Sequence, residues 1–139
     1  QIAVNQALLH SLPRFPEDLR ELDLSQNYIG RKGVMCLSDL MSACVNLKTV
    51  NLADNKLDND AVTYFASKAA KHPTLQSITL RNNLFSKAGG RALLQAVQIN
   101  TNITDIVIEN EPFLIPSLKQ RIQEQVLLNR QYKNFSYGS

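Results

Sequence analysis

Apolar positions along this chain recur at a fixed interval. Leu19, Leu22, Leu24 and Ile29, with Asn27 among them, are followed by Leu47, Val50, Leu52 and Leu57 with Asn55, and then by Leu75, Ile78, Leu80 and Phe85 with Asn83. The starts at 19, 47 and 75 lie 28 residues apart. A fourth set is due at 103, where Ile103, Ile106 and Ile108 stand, with Glu111 in place of the asparagine and Phe113 in the last apolar slot. The middle of each set, such as Glu21-Leu22-Asp23-Leu24, alternates polar and apolar side chains. That is the period of a strand with one buried face. Strands are expected near 21–24, 49–52, 77–80 and 105–108, parallel to one another because the 28-residue register is constant. The asparagine behind each strand fits a chain that has left its ladder, where a short amide can bond turning backbone. Stacked repeats would align these amides in a row. Glu111 breaks that row and marks the fourth repeat as terminal.

The remainder of each repeat has helical spacing. Val34, Leu37, Leu40 and Met41 form one stripe, Ala61, Phe65 and Ala69 a second, and Leu93, Ala96 and Val97 a third. Leu37, Phe65 and Leu93 are again 28 apart and should stack in the core. Gly30, Asp58 and Ser86 precede these stripes at equivalent places, and all three residue types are favoured as helix N-caps. Gly33, Ala61 and Gly89 share one register position, which therefore demands a small residue. Upstream, Leu9, Leu12 and Pro16 fall 28 before Leu37, Leu40 and Cys44. Residues 1–18 thus read as a partial repeat, a helix ended by Pro13 and Pro16, whose strand would lie before Gln1. After Phe113 the pattern changes. Ser117 and Gln120 have capping-box spacing, and Leu118, Ile122 and Val126, joined by Leu127 and Leu128, make an amphipathic helix. The chain divides into repeats over 1–113 and a closing helix with its tail over 114–139.

The recurring Leu-x-x-Leu-x-Leu-x-x-Asn-x-Ile pattern is that of leucine-rich repeats. Its 28-residue period, with a full helix in each repeat, resembles the ribonuclease-inhibitor-like class. The resemblance covers residues 1–113. It implies an α/β solenoid curved as a horseshoe, with parallel strands on the concave face, helices on the convex face and a C-terminal capping helix. It also implies an intracellular, cytoplasmic protein that works by binding other proteins. The segment Gln123-Glu124-Gln125-Val126-Leu127-Leu128-Asn129-Arg130 looks like the last helix of tropomodulin-type actin regulators, which adds the cytoskeleton as a setting. None of that family's actin-binding residues is carried over, because no local motif maps them.

Composition narrows the function classes. Of 139 residues, 44% are hydrophobic and 19% charged, an ordinary globular balance. The net charge of +3 gives no general affinity for nucleic acid. No apolar run approaches the roughly 18–20 residues of a membrane span. Cys36 and Cys44, about two helical turns and roughly 12 Å apart, are too distant to bridge and read as free thiols. Asn102-Ile103-Thr104 and Asn134-Phe135-Ser136 have the form of glycosylation acceptors, a form short enough to arise by chance, and read as unused. His10 and His72 have no nucleophile motif beside them, and His72 stands before Pro73 where a helix ends. Asp54, Asp58 and Asp60 cluster without the glycine-centred loop and closing glutamate of a calcium site. The glycine pairs lack the spacing of a phosphate loop. The expectation is therefore no enzyme, no metal and no cofactor.

What remains is the outward face of the strands. Its positions are Glu21, Asp23 and Ser25; Thr49, Asn51 and Ala53; Ser77, Thr79 and Arg81; and Asp105, Val107 and Glu109. Four acids against one base leave it at −3 (−4 + 1). A protein partner, basic or polar, is expected there, with Glu21, Asp23, Asn51, Thr79, Arg81, Asp105 and Glu109 as contact residues. Binding of nucleic acid or membrane is not expected. The alternative is a cytoskeletal or signalling regulator of the actin-end-binding or GTPase-linked type. The face lacks the aromatic anchors of most binding hot spots. The closing helix carries the opposite charge, Lys119, Arg121, Arg130 and Lys133 against Glu124.

Overall fold

The computed structural model describes residues 16–138, so the expected first helix lies outside the described residues. A short 3-10 turn, Pro16–Asp18, leads into three strand–helix units: β1 (Glu21–Asp23) and α1 (Gly30–Met41), β2 (Thr49–Asn51) and α2 (Asn59–Ala69), β3 (Ser77–Thr79) and α3 (Lys87–Ile99). β4 (Asp105–Val107) and a final long helix, α4 (Pro116–Gly138), complete it. The four strands form one parallel sheet in sequence order. Leu22 pairs with Val50, Val50 with Ile78 and Ile78 with Ile106, so the pairing register is the 28-residue sequence register.

Each strand is one residue shorter than its alternation suggested, though the ladder does not stop there. The amides of Leu24, Leu52 and Leu80 still donate to Asn51, Thr79 and Val107 at 2.8–2.9 Å. Two residues later the chain enters the left-handed region: Gln26, Asp54, Asn82 and Asn110 have φ of 59–60°. Asparagine and aspartate tolerate that conformation best among residues with a side chain. It turns the chain out of the sheet and toward the helix layer.

The asparagines then fasten the turn, as expected. Asn55 Nδ2 donates to Leu24, Leu52 and Ala53 carbonyls at 2.9–3.1 Å, while its Oδ1 accepts from the Asn27 and Ile29 amides at 3.2 Å. Asn83 does the same one repeat on, donating to Leu52 and Leu80 and accepting from the Asn55 and Leu57 amides at 3.0–3.2 Å. Both are buried, and a buried amide left unmatched would be costly.

The core lies between sheet and helices. Leu22, Val50, Ile78 and Ile106 point into it from the strands, and Leu37, Phe65 and Leu93 meet them at no more than 1% exposure. α4 packs on α3 and β4. Its Leu118, Ile122 and Val126 are buried, so the expected stripe closes the open end of the core.

Four local expectations are corrected. Gly30 is not a cap: Ile29 holds that place and Gly30 is the first helical residue, at a φ of 69° open only to a residue without steric conflict. Ser86 occupies the cap position of α3, but its side chain makes no capping bond. Asn59, from the previous repeat, accepts there instead from the Ser86 and Gly89 amides at 2.8 Å. The Ser117/Gln120 box does not form, because Pro116 opens α4 and Gln120 donates to Glu124. Finally, Phe113 does not fill the slot of Ile29, Leu57 and Phe85. It is 59% exposed, and Leu114, one residue later, is buried against Gly90 in its stead.

Candidate functional site

The sheet places the candidate residues in rows, because positions two apart on a strand share a face and in-register strands align them. Glu21, Asp23, Arg81, Asp105 and Glu109 are exposed, while Asn51 and Thr79 are half-buried between them. All seven therefore share one polar surface, but they are not equally available. Arg81 Nε lies 3.2 Å from Glu109 Oε2. Asp105 accepts from Ser77 Oγ at 2.9 Å and is approached by Arg130 of α4 at 3.9 Å. Asn51 Oδ1 accepts from the Ala53 amide at 3.0 Å and so serves its own turn. Asp23 does likewise for Ser25, at 3.0 Å from the amide and 2.7 Å from the hydroxyl. The sequence count of −3 thus resolves into two regions. The β3–β4 side is largely paired, and the β1 side, with Glu21 and Asp23, holds carboxylates that form no ion pair within 4.0 Å among the described residues.

The aromatic and aliphatic anchors missing from the strands stand just beyond them. Tyr28 and Leu84, at one register position in the loops, are 45% and 43% exposed, and Phe113 and Ile115 are exposed in the loop after β4. Lys56, the residue between Tyr28 and Leu84 in that row, sits with its ammonium 5.2 Å from the Tyr28 ring centroid. Sequence reasoning passed over this row, although Tyr28, Lys56 and Leu84 are each 28 apart and are the signal that would have revealed it.

Of the residues weighed for chemistry, His10 lies outside the described residues, and the others are engaged structurally. His72 Nε2 lies 3.0 and 2.9 Å from the Met41 and Cys44 carbonyls, and Nδ1 accepts from the Thr74 and Leu75 amides at 3.2 and 3.1 Å. This places the imidazole proton on Nε2. Asp54 accepts from Asn82, whereas Asp58 and Asp60 lie 2.6 and 3.3 Å from Arg31. The Arg31 hydrogen bond, helped by the Ala61 amide, holds the Asp58 carboxyl below its ordinary range. Cys36 is exposed and Cys44 buried, both free, and burial pushes the Cys44 thiol up. Among the described residues no group of three or more His, Cys, Asp or Glu could hold a metal, and no helix is long and apolar enough to cross a membrane.

Motif register and fold together define a leucine-rich-repeat solenoid with a C-terminal capping helix. The leucine-rich repeat family model matches residues 17–38 and 43–66. Two solved structures share the fold. Leiomodin-1 actin-binding site 2 aligns with a TM-score of 0.70 at 13% identity, over 84% of this chain and 84% of that one. The tropomodulin C-terminal domain of Caenorhabditis elegans aligns with a TM-score of 0.62 at 10% identity, over 96% of this chain and 97% of that one. No curated protein matches the sequence. The tropomodulin-type likeness of the last helix thus extends, as a likeness of fold, over most of the chain.

Proposed function

We propose that this chain is a protein-interaction module whose partner lies on the concave strand face. The observation that carries this reading is the acidic end of an otherwise polar, in-register surface, where Glu21 and Asp23 meet no cation at ion-pair distance among the described residues. The sheet presents Glu21 and Asp23 with no ion pair among the described residues, so a basic partner surface meets no competitor there from the described part of the chain. Asn51 and Thr79 supply polar contacts across the middle, and Arg81, Asp105 and Glu109 reach a partner only by exchanging existing pairs. Leucine-rich-repeat arrays use such faces for binding, and nothing in the arrangement supports catalysis.

A narrower reading is favoured by the two structural neighbours, one an actin-binding site of Leiomodin-1 and the other a tropomodulin domain. It makes the protein an intracellular, cytoskeleton-associated regulator with actin as partner. Binding to purified actin, monomeric and filamentous, tests this directly, alongside affinity capture with the intact protein. The face itself is tested by charge reversal. Glu21→Lys with Asp23→Lys should slow association with the captured partner by about tenfold at low salt and flatten its salt dependence. Asp105→Lys alone should do less. Unchanged association in the double variant would remove the face from consideration.

A further inference from the structure

A cleft of about 500 Å³ opens where β4 passes into α4, lined by Asn110, Glu111, Pro112, Leu114, Pro116 and Lys119. Glu111 holds the register position of Asn27, Asn55 and Asn83 but does not repeat their bonding. Asn83 Oδ1 takes the Asn55 and Leu57 amides, whereas Glu111 Oε1 is buried with no hydrogen-bond partner among the described residues. Natural proteins rarely leave such an atom unmatched. Three charged groups bear on it. Arg81 is committed to Glu109 at 3.2 Å, and Lys119, though it lines the cleft, forms no ion pair within 4.0 Å among the described residues. The remaining walls are the carbon surfaces of Pro112, Leu114 and Pro116.

We propose that this cleft receives a cationic side chain, lysine or arginine, of the protein partner. Its methylenes lie against Pro112, Leu114 and Pro116, and its charged end rests on the Glu111 carboxylate. An apolar stem with a cationic head is the chemistry these walls match. The inference rests on reading the strand face as the docking surface, since the cleft lies at its rim beside Glu109. It also explains the ladder's substitution: an asparagine at 111 would finish the row, whereas a glutamate leaves a charge for an incoming cation.

Burial pushes the Glu111 carboxyl up to about 7 and Glu109 adds to the rise, against the opposing pull of Lys119, of the residue's own backbone amide and of Arg81. A cation that requires the ionised form therefore binds better as pH rises through about 7. The test is an NMR titration of the full chain with N-acetyl-lysine N-methylamide and, as neutral isostere, N-acetyl-norleucine N-methylamide. The lysine compound should give saturable shifts at Asn110, Glu111, Leu114 and Lys119, with affinity about tenfold higher near pH 8 than near pH 6. Glu111→Gln should weaken it about tenfold, and Lys119→Gln should strengthen it. Equal binding of the norleucine compound, or indifference to Glu111→Gln, would overturn the proposal. So would a Lys119→Gln protein that loses stability and still binds no amine, because Lys119 would then be the occupant. Reversal at Glu21 and Asp23 leaves this titration intact, so failure of the strand-face reading appears separately, as unchanged partner association.

Discussion

His72 shows how much one side chain carries in a solenoid. It joins the end of α1 to the loop behind α2 by four bonds, and Asn100 repeats the device, donating to the Ala69 and His72 carbonyls at 2.8 Å. Asn129 of α4 continues it with the Val97 and Ile103 carbonyls at 2.9 and 3.0 Å. This is a second ladder, on the opposite side of the repeats from the asparagines. His72→Ala would strand buried carbonyls and amides, each costing about 1–3 kcal/mol. A loss of about 2–4 kcal/mol is expected by denaturant titration, with His72→Asn recovering part because Asn100 performs the same task. Equal losses for alanine and asparagine would deny the hydrogen bonds their role. At Glu111 the sign is reversed. Its folded-state titration lies above that of a free glutamate, so between about 4.5 and about 7 the unfolded chain releases a proton that the folded one keeps. Stability falls as pH rises through that window. Glu111→Gln should remove this slope, so its advantage over the natural chain should grow up to about pH 7 and then stay level.

At the scale of elements, α4 is the piece on which the array depends. Leu118, Ile122 and Val126 bury their side chains where β4 would otherwise leave the core open. Each contributes about 1.5–3 kcal/mol by burial. The approach is close: a Cβ on Gly90 would stand 2.7 Å from both Leu114 Cδ1 and Leu118 Cδ2. Truncation after Phe113 should cause aggregation or a large drop in melting temperature, and Gly90→Val a smaller drop by lifting the helix. A truncated protein that is soluble and melts unchanged would show that α4 is no cap. The elements were legible in the sequence because strand alternation, helical stripes and the asparagines all recur locally with one period. What escaped was decided between repeats. The second ladder occupies aligned positions with Cys44, His72 and Asn100, three residue types that share no composition, and its last member, Asn129, is shifted by one. Asn59 caps a helix it does not belong to. Leu114, one residue out of register, takes the buried place expected of Phe113. The polar face was legible as a set of residues, but its division into a paired and an open side was not, since Arg130 reaches Asp105 from α4 and Arg81 pairs with Glu109 across strands.

At the scale of the whole molecule, the hydrogen bonds that fasten one repeat to the next mostly reach the same distance along the chain, from 25 to 32 residues. Each repeat thus offers its successor the sockets it found in its predecessor. The joints are interchangeable, and length is not fixed by the core as it is in a closed globule. A second copy of residues 47–74 inserted after Thr74 should fold into an array one repeat longer, with an unfolding transition at least as high as that of the natural chain. Circular dichroism and a melting curve would check this, and a molten or aggregated product would show that the joints are individually fitted. The array could then lengthen or shorten without redesign, while the stop is written after the third repeat, in Glu111 and α4.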